Sequence, residues 1–182
     1  MPIIPVSGSA VMHGAMIPLA YSSNFTGGFS LTNIPTSVQD LRIVLNVRNN
    51  TSSNATMNIY FNSDVGSGNY SNNQIYTNGV TAVAARNNSQ NYWGFNYTTT
   101  VYNAPLNTFS ELTIDLLNWQ AANYKTVIFR ANTEAGGSGF NSLATGVWRS
   151  SAAITSFNFA PDNGAWLAGS TATVYGIRSI GQ

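Results

Sequence analysis

Hydrophobic and polar residues alternate along several short runs of this chain. The segment LRIVLNVR (41–48) places four aliphatic side chains on one face, opposite two arginines, an asparagine and a valine. The same period of two recurs in TMNIYFN (56–62) and in ELTIDLLNW (111–119), and KTVIFRAN (125–132) is rich in β-branched and aromatic residues. Because successive side chains of a strand point to opposite faces, these runs predict strands with one buried face.

Turn-forming residues separate these runs. Glycine, asparagine, aspartate and proline supply the backbone angles and local hydrogen bonds that tight turns need. They cluster at GSG (66–68), NG (78–79), NAP (103–105), AGGSG (135–139) and PDNG (161–164). Only LLNWQAANY (116–124) could hold a short helix. Many short strands with little helix predict an all-β fold, an antiparallel β-sandwich of jelly-roll type.

The first 22 residues have a different pattern. They are apolar, are interrupted by prolines, and lack the basic start of a signal peptide. Proline favours an extended path with few internal hydrogen bonds. We therefore expect an extended N-terminal arm over residues 1–22 and a β-sandwich domain over 23–182. The arm residues expected to contact neighbouring subunits are Pro2, Ile3, Ile4, Pro5, Val6, Met12, Met16, Ile17, Pro18 and Leu19.

Charge is scarce, which changes the expected surface. Only 7% of the 182 residues are charged, the net charge is +1, and the cations are scattered along the chain. Nucleic-acid binding requires a basic stripe, so no nucleic-acid partner is expected. With 24 asparagines and many serines and threonines, the exterior is expected to be amide and hydroxyl. Such a surface repels copies of itself only weakly, which favours a homo-oligomer.

Other counts exclude further classes. The chain has no cysteine, so it has neither disulfides nor a thiolate metal site. No run reaches 18 unbroken apolar residues, so no membrane partner is expected. Edge strands normally carry lysine to prevent association, yet the chain has one lysine. The edges are therefore expected to be covered or to contact neighbouring subunits.

Catalytic chemistry is not indicated by the residue types. His13 is the only histidine and lies in the apolar N-terminal segment, so neither a nucleophile triad nor a histidine zinc site is expected. The acidic residues do not form an evident pair for glycoside hydrolysis. They are Asp40, Asp64, Glu111, Asp115, Glu134 and Asp162. We expect no enzyme and no cofactor, and a glycan-degrading enzyme is the weakest of three hypotheses.

The segment FNSDVGSGNYSNN (61–73) raises the question of a calcium loop. It offers one carboxylate, Asp64, together with the amides of Asn62 and Asn69. Calcium sites use six to eight oxygen ligands, usually with several carboxylates. The segment is therefore predicted to be a turn, and no metal is expected.

Aromatic residues suggest one candidate binding site. In NYWGFNY (91–97), Tyr92, Trp93 and Tyr97 lie among asparagines and could stack on host glycans. The competing interpretation is that tryptophan in a β-sandwich belongs to the core, because its ring buries a large area. The core is favoured for each tryptophan taken singly, and the polar neighbours of Trp93 suggest a loop.

Two segments carry a resemblance to a known class of proteins. LRIVLNVRNNTSSNATMNIYFNSDVGSGNYS (41–71) resembles tailed-phage virion proteins, in which a strand with an arginine precedes an FN-x-D-x-G-x-x-Y-S turn; this chain has an extra glycine before Asn69. The segment GVWRSSAAITSFNFAPDNGAWLAGSTATVYGI (146–177) is similar to the ending of phage decoration and fibre proteins. Its matching elements are Trp148, a strand with Ile154 and Phe157, the turn 164–170 and a last strand 174–177, where Val174 replaces a common leucine.

The resemblance implies a virion surface component with a jelly-roll-like domain, assembled as a trimer. Because nearly all of the chain is devoted to one domain, we expect a capsid decoration (cement) protein that contacts the major capsid protein or other virion proteins. It would be made in the bacterial cytoplasm and reside on the virion. The alternative is a tail-fibre or receptor-binding domain that recognises host cell-surface glycans.

Overall fold

The computed structural model describes residues 16–52, 55–77, 79–99, 104–134 and 139–178. These residues form twelve strands and no helix, which confirms the all-β prediction. The strands are β1 (Met16–Ser23), β2 (Phe29–Thr32), β3 (Asp40–Val47), β4 (Ala55–Phe61), β5 (Tyr70–Thr77), β6 (Ala82–Gln90), β7 (Trp93–Thr99), β8 (Ser110–Leu116), β9 (Lys125–Glu134), β10 (Gly139–Trp148), β11 (Ser156–Pro161) and β12 (Thr171–Ile177).

The strands form two antiparallel sheets that pack as a β-sandwich. The large sheet has eight strands in the order β1-β12-β3-β8-β9-β10-β5-β6, and the small sheet has four in the order β2-β11-β4-β7. The predicted runs at 41–48, 56–62, 111–119 and 125–132 correspond to β3, β4, β8 and β9. The jelly-roll subtype stays a prediction.

The core lies between the two sheets and is built from the alternating positions. Side chains at every second position of β9 and β10 are buried and the intervening ones are mostly exposed. The large sheet therefore has one inner face on the core and one open outer face. Aromatic rings fill the centre: Phe95 stacks on Phe129 at a centroid distance of 4.3 Å, and Phe61 meets Trp93 edge-on at 4.9 Å. All four tryptophans are buried.

The short helix considered at 116–124 is absent. Leu116 ends β8, and the residues after it form a series of turns. Asn118 has a φ of 50°, which a right-handed helix does not accommodate. The turns are held by the side chains of Trp119 and Lys125: the Trp119 Nε1 donates to the Val38 carbonyl oxygen at 3.1 Å, and Lys125 donates to two carbonyls of the turn.

The predicted boundary at residue 22 is wrong, because residues 16–22 belong to the sandwich. Strand β1 pairs with β12, with Met16 opposite Ile177 and Pro18 opposite Tyr175. Pro18 obscured this strand in the sequence, yet proline is tolerated on an edge strand, where its missing N–H costs no ladder bond. The arm residues Met16, Ile17, Pro18 and Leu19 are thus strand residues, whereas Pro2, Ile3, Ile4, Pro5, Val6 and Met12 lie outside the described residues.

Strands β5 and β6 were not predicted, because the pattern of β5 is inverted and β6 has no fully buried residue. On β5, Asn72 and Gln74 are buried and Ile75 is exposed. The nitrogens of the buried amides have partners: Gln74 donates to the Ser142 hydroxyl at 2.6 Å, and Asn72 to the Gly94 carbonyl at 3.2 Å, whereas the Asn72 Oδ1 has none among the described residues. Hydrophobicity alone therefore gives the wrong inner face for this strand, and it leaves apolar side chains on the outer face of the sheet.

Candidate functional site

The predicted turn after β4 is organised around one carboxylate. Asp64 accepts hydrogen bonds from the Trp148 Nε1 at 2.7 Å, from the Gly66 backbone N–H at 2.9 Å and from the Asn69 amide at 2.9 Å to each oxygen. A carboxylate that is already engaged by nitrogen donors on both oxygens is poorly placed to bind calcium. In the described part of the chain, no three His, Cys, Asp or Glu side chains come together as a metal site.

The contacts within the turn also shift the pKa values of Asp64 and Tyr70. Burial raises the pKa of Asp64, but the hydrogen bonds from Trp148, Gly66 and Asn69 outweigh it and hold this pKa below its ordinary value. Tyr70 closes the turn by donating to the Asp64 carbonyl oxygen and accepting from the Phe61 backbone N–H, both at 3.0 Å. Its burial raises the pKa of Tyr70 far above the usual value, so this phenol stays protonated.

The segments 41–71 and 146–177 meet at this turn. Beyond the Trp148–Asp64 bond, the Arg149 backbone N–H donates to the Asn69 carbonyl at 2.8 Å, and its guanidinium donates to the Gly68 carbonyl at 2.7 Å. The Asn62 amide oxygen accepts from the backbone N–H groups of Thr155 and Ser156 at 2.7 and 3.1 Å. The polar residues of the turn 61–71 and of the segment that follows β10 therefore stabilise each other's backbone.

Trp93, one of the three aromatic residues considered for stacking on glycans, is a core residue. Trp93 is 0% exposed, and its Nε1 donates to the Val147 carbonyl at 3.0 Å in the core. This burial confirms the core interpretation favoured for each tryptophan, and the loop suggested by the polar neighbours of Trp93 is instead the start of β7. Tyr92 is exposed in the preceding bend, and the side chain of Tyr97 lies outside the described residues.

The open outer face of the large sheet carries a small group of apolar side chains on β6, β5 and β10, among polar ones such as Asn141 and Thr145. Ile75 lies directly opposite Leu143 on β10 and opposite Ala84 on β6. Ile75 is 60% exposed and Leu143 is 51% exposed. Together with Ile128 on β9, which is 46% exposed, they form what we call the apolar outer patch. A concavity of 370 Å³ runs between Ile75, Leu143 and Ala84.

The edge strands lack the usual lysine. Lys125, the only lysine, is buried, and its ammonium donates to the carbonyl oxygens of Ala121 at 2.5 Å and Asn123 at 2.7 Å. Burial lowers the pKa of Lys125. Strand β1 is modified as an edge by Pro18 and by a bulge between Pro18 and Ala20. Strand β6, at the other edge, has β5 as its neighbour and carries Arg86 as its one charged residue.

A second feature of the outer face is a polar groove across β3, β8 and β9. The Arg42 side chain contacts Asp115 through two nitrogens, Nε to Oδ1 at 2.5 Å and Nη2 to Oδ2 at 3.1 Å. Arg130 reaches the same carboxylate at 3.3 Å. The hydrogen bond and charge of Asp115 raise the pKa of Arg42, although burial opposes the shift. We call the 530 Å³ concavity beside these side chains the charged groove; it is lined by Met16, Arg42, Val44, Glu111, Thr113, Arg130, Ala131, Asn132 and Tyr175.

No local pattern along the chain indicates the charged groove. Its residues come from strands that are far apart in the chain, and only the register places Arg42 opposite Asp115 and Arg130 opposite Thr113. Of the other acids, Asp40 accepts from the Asn118 backbone N–H at 2.8 Å and Asp162 from that of Thr56 at 3.0 Å. The absence of an enzymatic activity stays a prediction.

The chain matches no family model, no curated protein and no solved structure. None of the described residues forms a helix long and apolar enough to cross a bilayer. What the protein does is therefore inferred from its own residues.

Proposed function

We propose that this chain is a structural protein of a tailed-bacteriophage virion, a capsid decoration subunit that works by adhesion and not by catalysis. It would assemble as a homotrimer, bind the major capsid protein and strengthen the shell by burying surface between subunits. It would be made in the cytoplasm of the bacterial host. The resemblance of residues 41–71 and 146–177 to phage virion proteins supports a place on a virion. The outer surface of the sandwich supports a function in adhesion.

The observation that carries the proposal is the apolar outer patch. Its three largest members, Ile75, Leu143 and Ile128, lie on adjacent strands of a face that no other layer of the described chain covers. Contiguous exposed apolar surface marks an interaction site, because its exposure to water is unfavourable. Repetition of one modest contact over a symmetric shell multiplies its effect through avidity.

The electrostatics of the chain are consistent with close packing of copies. The net charge is +1, so neighbouring subunits would repel each other only weakly. The one lysine is buried and does not protect an edge. Strand β6 therefore brings both a charge-poor edge and the adjoining apolar outer patch to the same side of the molecule.

The test is a binding experiment with purified shells of the phage that encodes the chain. Replacement of both Ile75 and Leu143 by aspartate should weaken binding by about 30-fold or more, because residues at the centre of an interface contribute about 2 kcal/mol or more. The matched control is Leu117→Asp, since Leu117 is 50% exposed but follows β8 outside the patch. If the double variant binds as tightly as the control, adhesion through this patch is wrong.

The alternative function, a tail-fibre or receptor-binding domain for host glycans, has one observation in its favour. The charged groove offers hydrogen-bonding side chains beside an aromatic ring, although none of the residues first considered for glycan binding belongs to it. Binding of the protein to host cells in the absence of shells, and no binding to shells, would favour this alternative.

A further inference from the structure

We propose that the charged groove binds a neutral saccharide, held through pairs of adjacent hydroxyl groups. The inference is independent of the decoration function, since a saccharide site would serve a protein on the head or on the tail. It depends on three properties of the groove: the arrangement of donors and acceptors, the apolar contacts beside them, and the balance of charge.

Donors and acceptors alternate across the groove. Arg130 on β9 lies opposite Thr113 and therefore between Glu111 and Asp115 of β8, while Arg42 lies opposite Asp115 on the other side. Neighbouring strands are about 4.8 Å apart and next-nearest residues on a strand about 7 Å apart. A ligand that contacts all of these side chains must therefore extend over several strand positions, as an oligosaccharide does. Each sugar hydroxyl both donates and accepts, so an alternating array satisfies it from either side.

The arginines are held in place before any ligand arrives. Asp115 accepts from Arg42 through two nitrogens and from Arg130 through a third. The guanidinium nitrogens that do not contact Asp115 lie along the groove. One of them, the Arg42 Nη1, donates to the Met16 sulfur at 3.8 Å. Fixing these long side chains in advance lowers the entropic cost of binding. Asp115 acts here as a positioning residue.

Apolar surface accompanies the polar groups. Val44, Met16 and Tyr175 line the groove beside Arg42, and Tyr175 lies opposite Arg42 on the neighbouring strand. The C–H faces of sugars pack on such surfaces, whereas inorganic anions gain nothing from them. The chemistry of the lining therefore suits an amphipathic ring better than a small ion.

The charge balance argues for a neutral ligand. Arg42 and Arg130 are compensated by Asp115 and Glu111, so the cluster has no net formal charge. These four side chains come from a chain with only seven basic and six acidic residues, so the concentration of charge at one groove is unusual for this protein. An anionic ligand would face Glu111, and a cationic one would face the two arginines.

The experiment is an NMR titration of the full chain with neutral oligosaccharides of glucose, galactose, mannose and N-acetylglucosamine. A sialylated oligosaccharide and a heparin fragment serve as charged comparisons. We expect shifts in the backbone amide signals of β3, β8 and β9, with millimolar or tighter binding to at least one neutral member. Raising the salt from 50 to 500 mM should change the affinity less than about twofold, because a neutral ligand is not screened.

Variants locate the site. Arg130→Met keeps the length of the side chain but removes its donors, and Glu111→Gln removes a charged acceptor. Each should weaken binding at least about fivefold while the melting temperature stays that of the wild type, since both side chains are exposed. Arg86→Met on β6 is the control and should bind like the wild type.

Three results would overturn the proposal. The first is no shift with any neutral oligosaccharide at 10 mM ligand. The second is binding that Arg130→Met and Glu111→Gln leave unchanged. The third is binding of the charged comparisons alone, lost at high salt, which would identify a nonspecific anion surface. None of these results bears on attachment to shells, so the decoration function is tested separately.

Discussion

The Trp148 indole nitrogen lies 2.7 Å from the Asp64 carboxylate, and this bond joins two segments of the chain that are 84 residues apart. Asp64 belongs to the turn after β4, and Trp148 is the last residue of β10. Because the indole nitrogen and the other donors engage both Asp64 oxygens, this carboxylate stabilises the turn. The indole–carboxylate bond also gives Asp64 and Trp148 a shared structural role in the turn.

Removal of this carboxylate should destabilise the whole domain. In Asp64→Ala, the Trp148 Nε1, the Gly66 N–H and the Asn69 amide lose their acceptor. Hydrogen bonds to charged groups contribute about 1.5–3 kcal/mol each. Because the three bonds share one acceptor, their contributions are not additive. We therefore expect the free energy of unfolding to fall by about 2–4 kcal/mol. Urea denaturation measures it. Asp162→Ala, which removes one exposed acceptor, should cost less than half as much.

Stability should fall in acid partly through Asp64. Burial raises the pKa of this carboxyl, but the three hydrogen bonds lower it by more than burial raises it. The pKa of Asp64 in the folded protein is therefore below the value of about 3.9 in an unfolded chain. The stabilisation that ionised Asp64 provides is therefore present above the unfolded pKa of about 4 and is lost as the pH falls through the folded pKa. Between pH 5 and pH 2, Asp64→Asn should lose less stability than the wild type. An identical pH dependence of both proteins would refute this assignment.

Trp93 should behave as a core residue and not as a binding residue. Its ring is buried between Phe61 and Tyr70, with centroid distances of 4.9 and 5.7 Å. Trp93→Ala should therefore lower the free energy of unfolding by about 3–5 kcal/mol. Tyr92→Ala, at the exposed neighbouring position, should lower it by less than about 1 kcal/mol. A Trp93→Ala variant with wild-type stability would restore the glycan platform as a candidate.

The Trp93 ring also explains why position 146 of β10 is a glycine. A Cβ at position 146 would lie 2.7 Å from Trp93 Cε2, closer than real Cβ contacts. Overpacking of a filled core costs about 1–3 kcal/mol, which is the loss of unfolding free energy expected for Gly146→Ala. Gly27→Ala is the control, because a Cβ there meets nothing within 4 Å. Thermal unfolding of the two variants measures the difference, and equal melting temperatures would contradict the packing described here.

The strands with regular alternation could be predicted from the sequence, because β3, β4, β8 and β9 bury one simple aliphatic or aromatic face. The others are hidden by tertiary effects. Asn72 and Gln74 are buried on β5 because Gly94 and Ser142 supply partners, and no local pattern reveals those partners. The helix considered at 116–124 fails at Asn118, whose left-handed backbone is stabilised by tertiary contacts of the turn.

The candidate sites were less accessible to sequence reasoning than the fold. Asp64 was correctly placed in a turn, but its partner Trp148 is 84 residues away. The charged groove depends on the register of three strands, and the apolar outer patch depends on the inverted faces of β5. Both features depend on strand pairing, which local patterns in one sequence do not reveal.

The N-terminal segment can be tested apart from the sandwich. Because residues 16–22 form β1, a deletion that probes the proposed arm must end at residue 15; a longer one would uncover β12. The shortened protein should keep its melting temperature within about 2 °C and attach to shells at least about fivefold more weakly. Attachment equal to that of the full chain would eliminate a role for residues 1–15 in assembly.

The most direct test of adhesion to a viral shell is cryo-electron microscopy of the parent virion, with and without the gene for this chain. We predict density for the eight- and four-stranded sandwich at symmetric positions on the outside of the capsid, with the face that carries Ile75 and Leu143 buried against neighbouring protein. Loss of the gene should remove this density. A capsid surface identical in both particles, or a sandwich whose apolar outer patch faces solvent, would contradict the account.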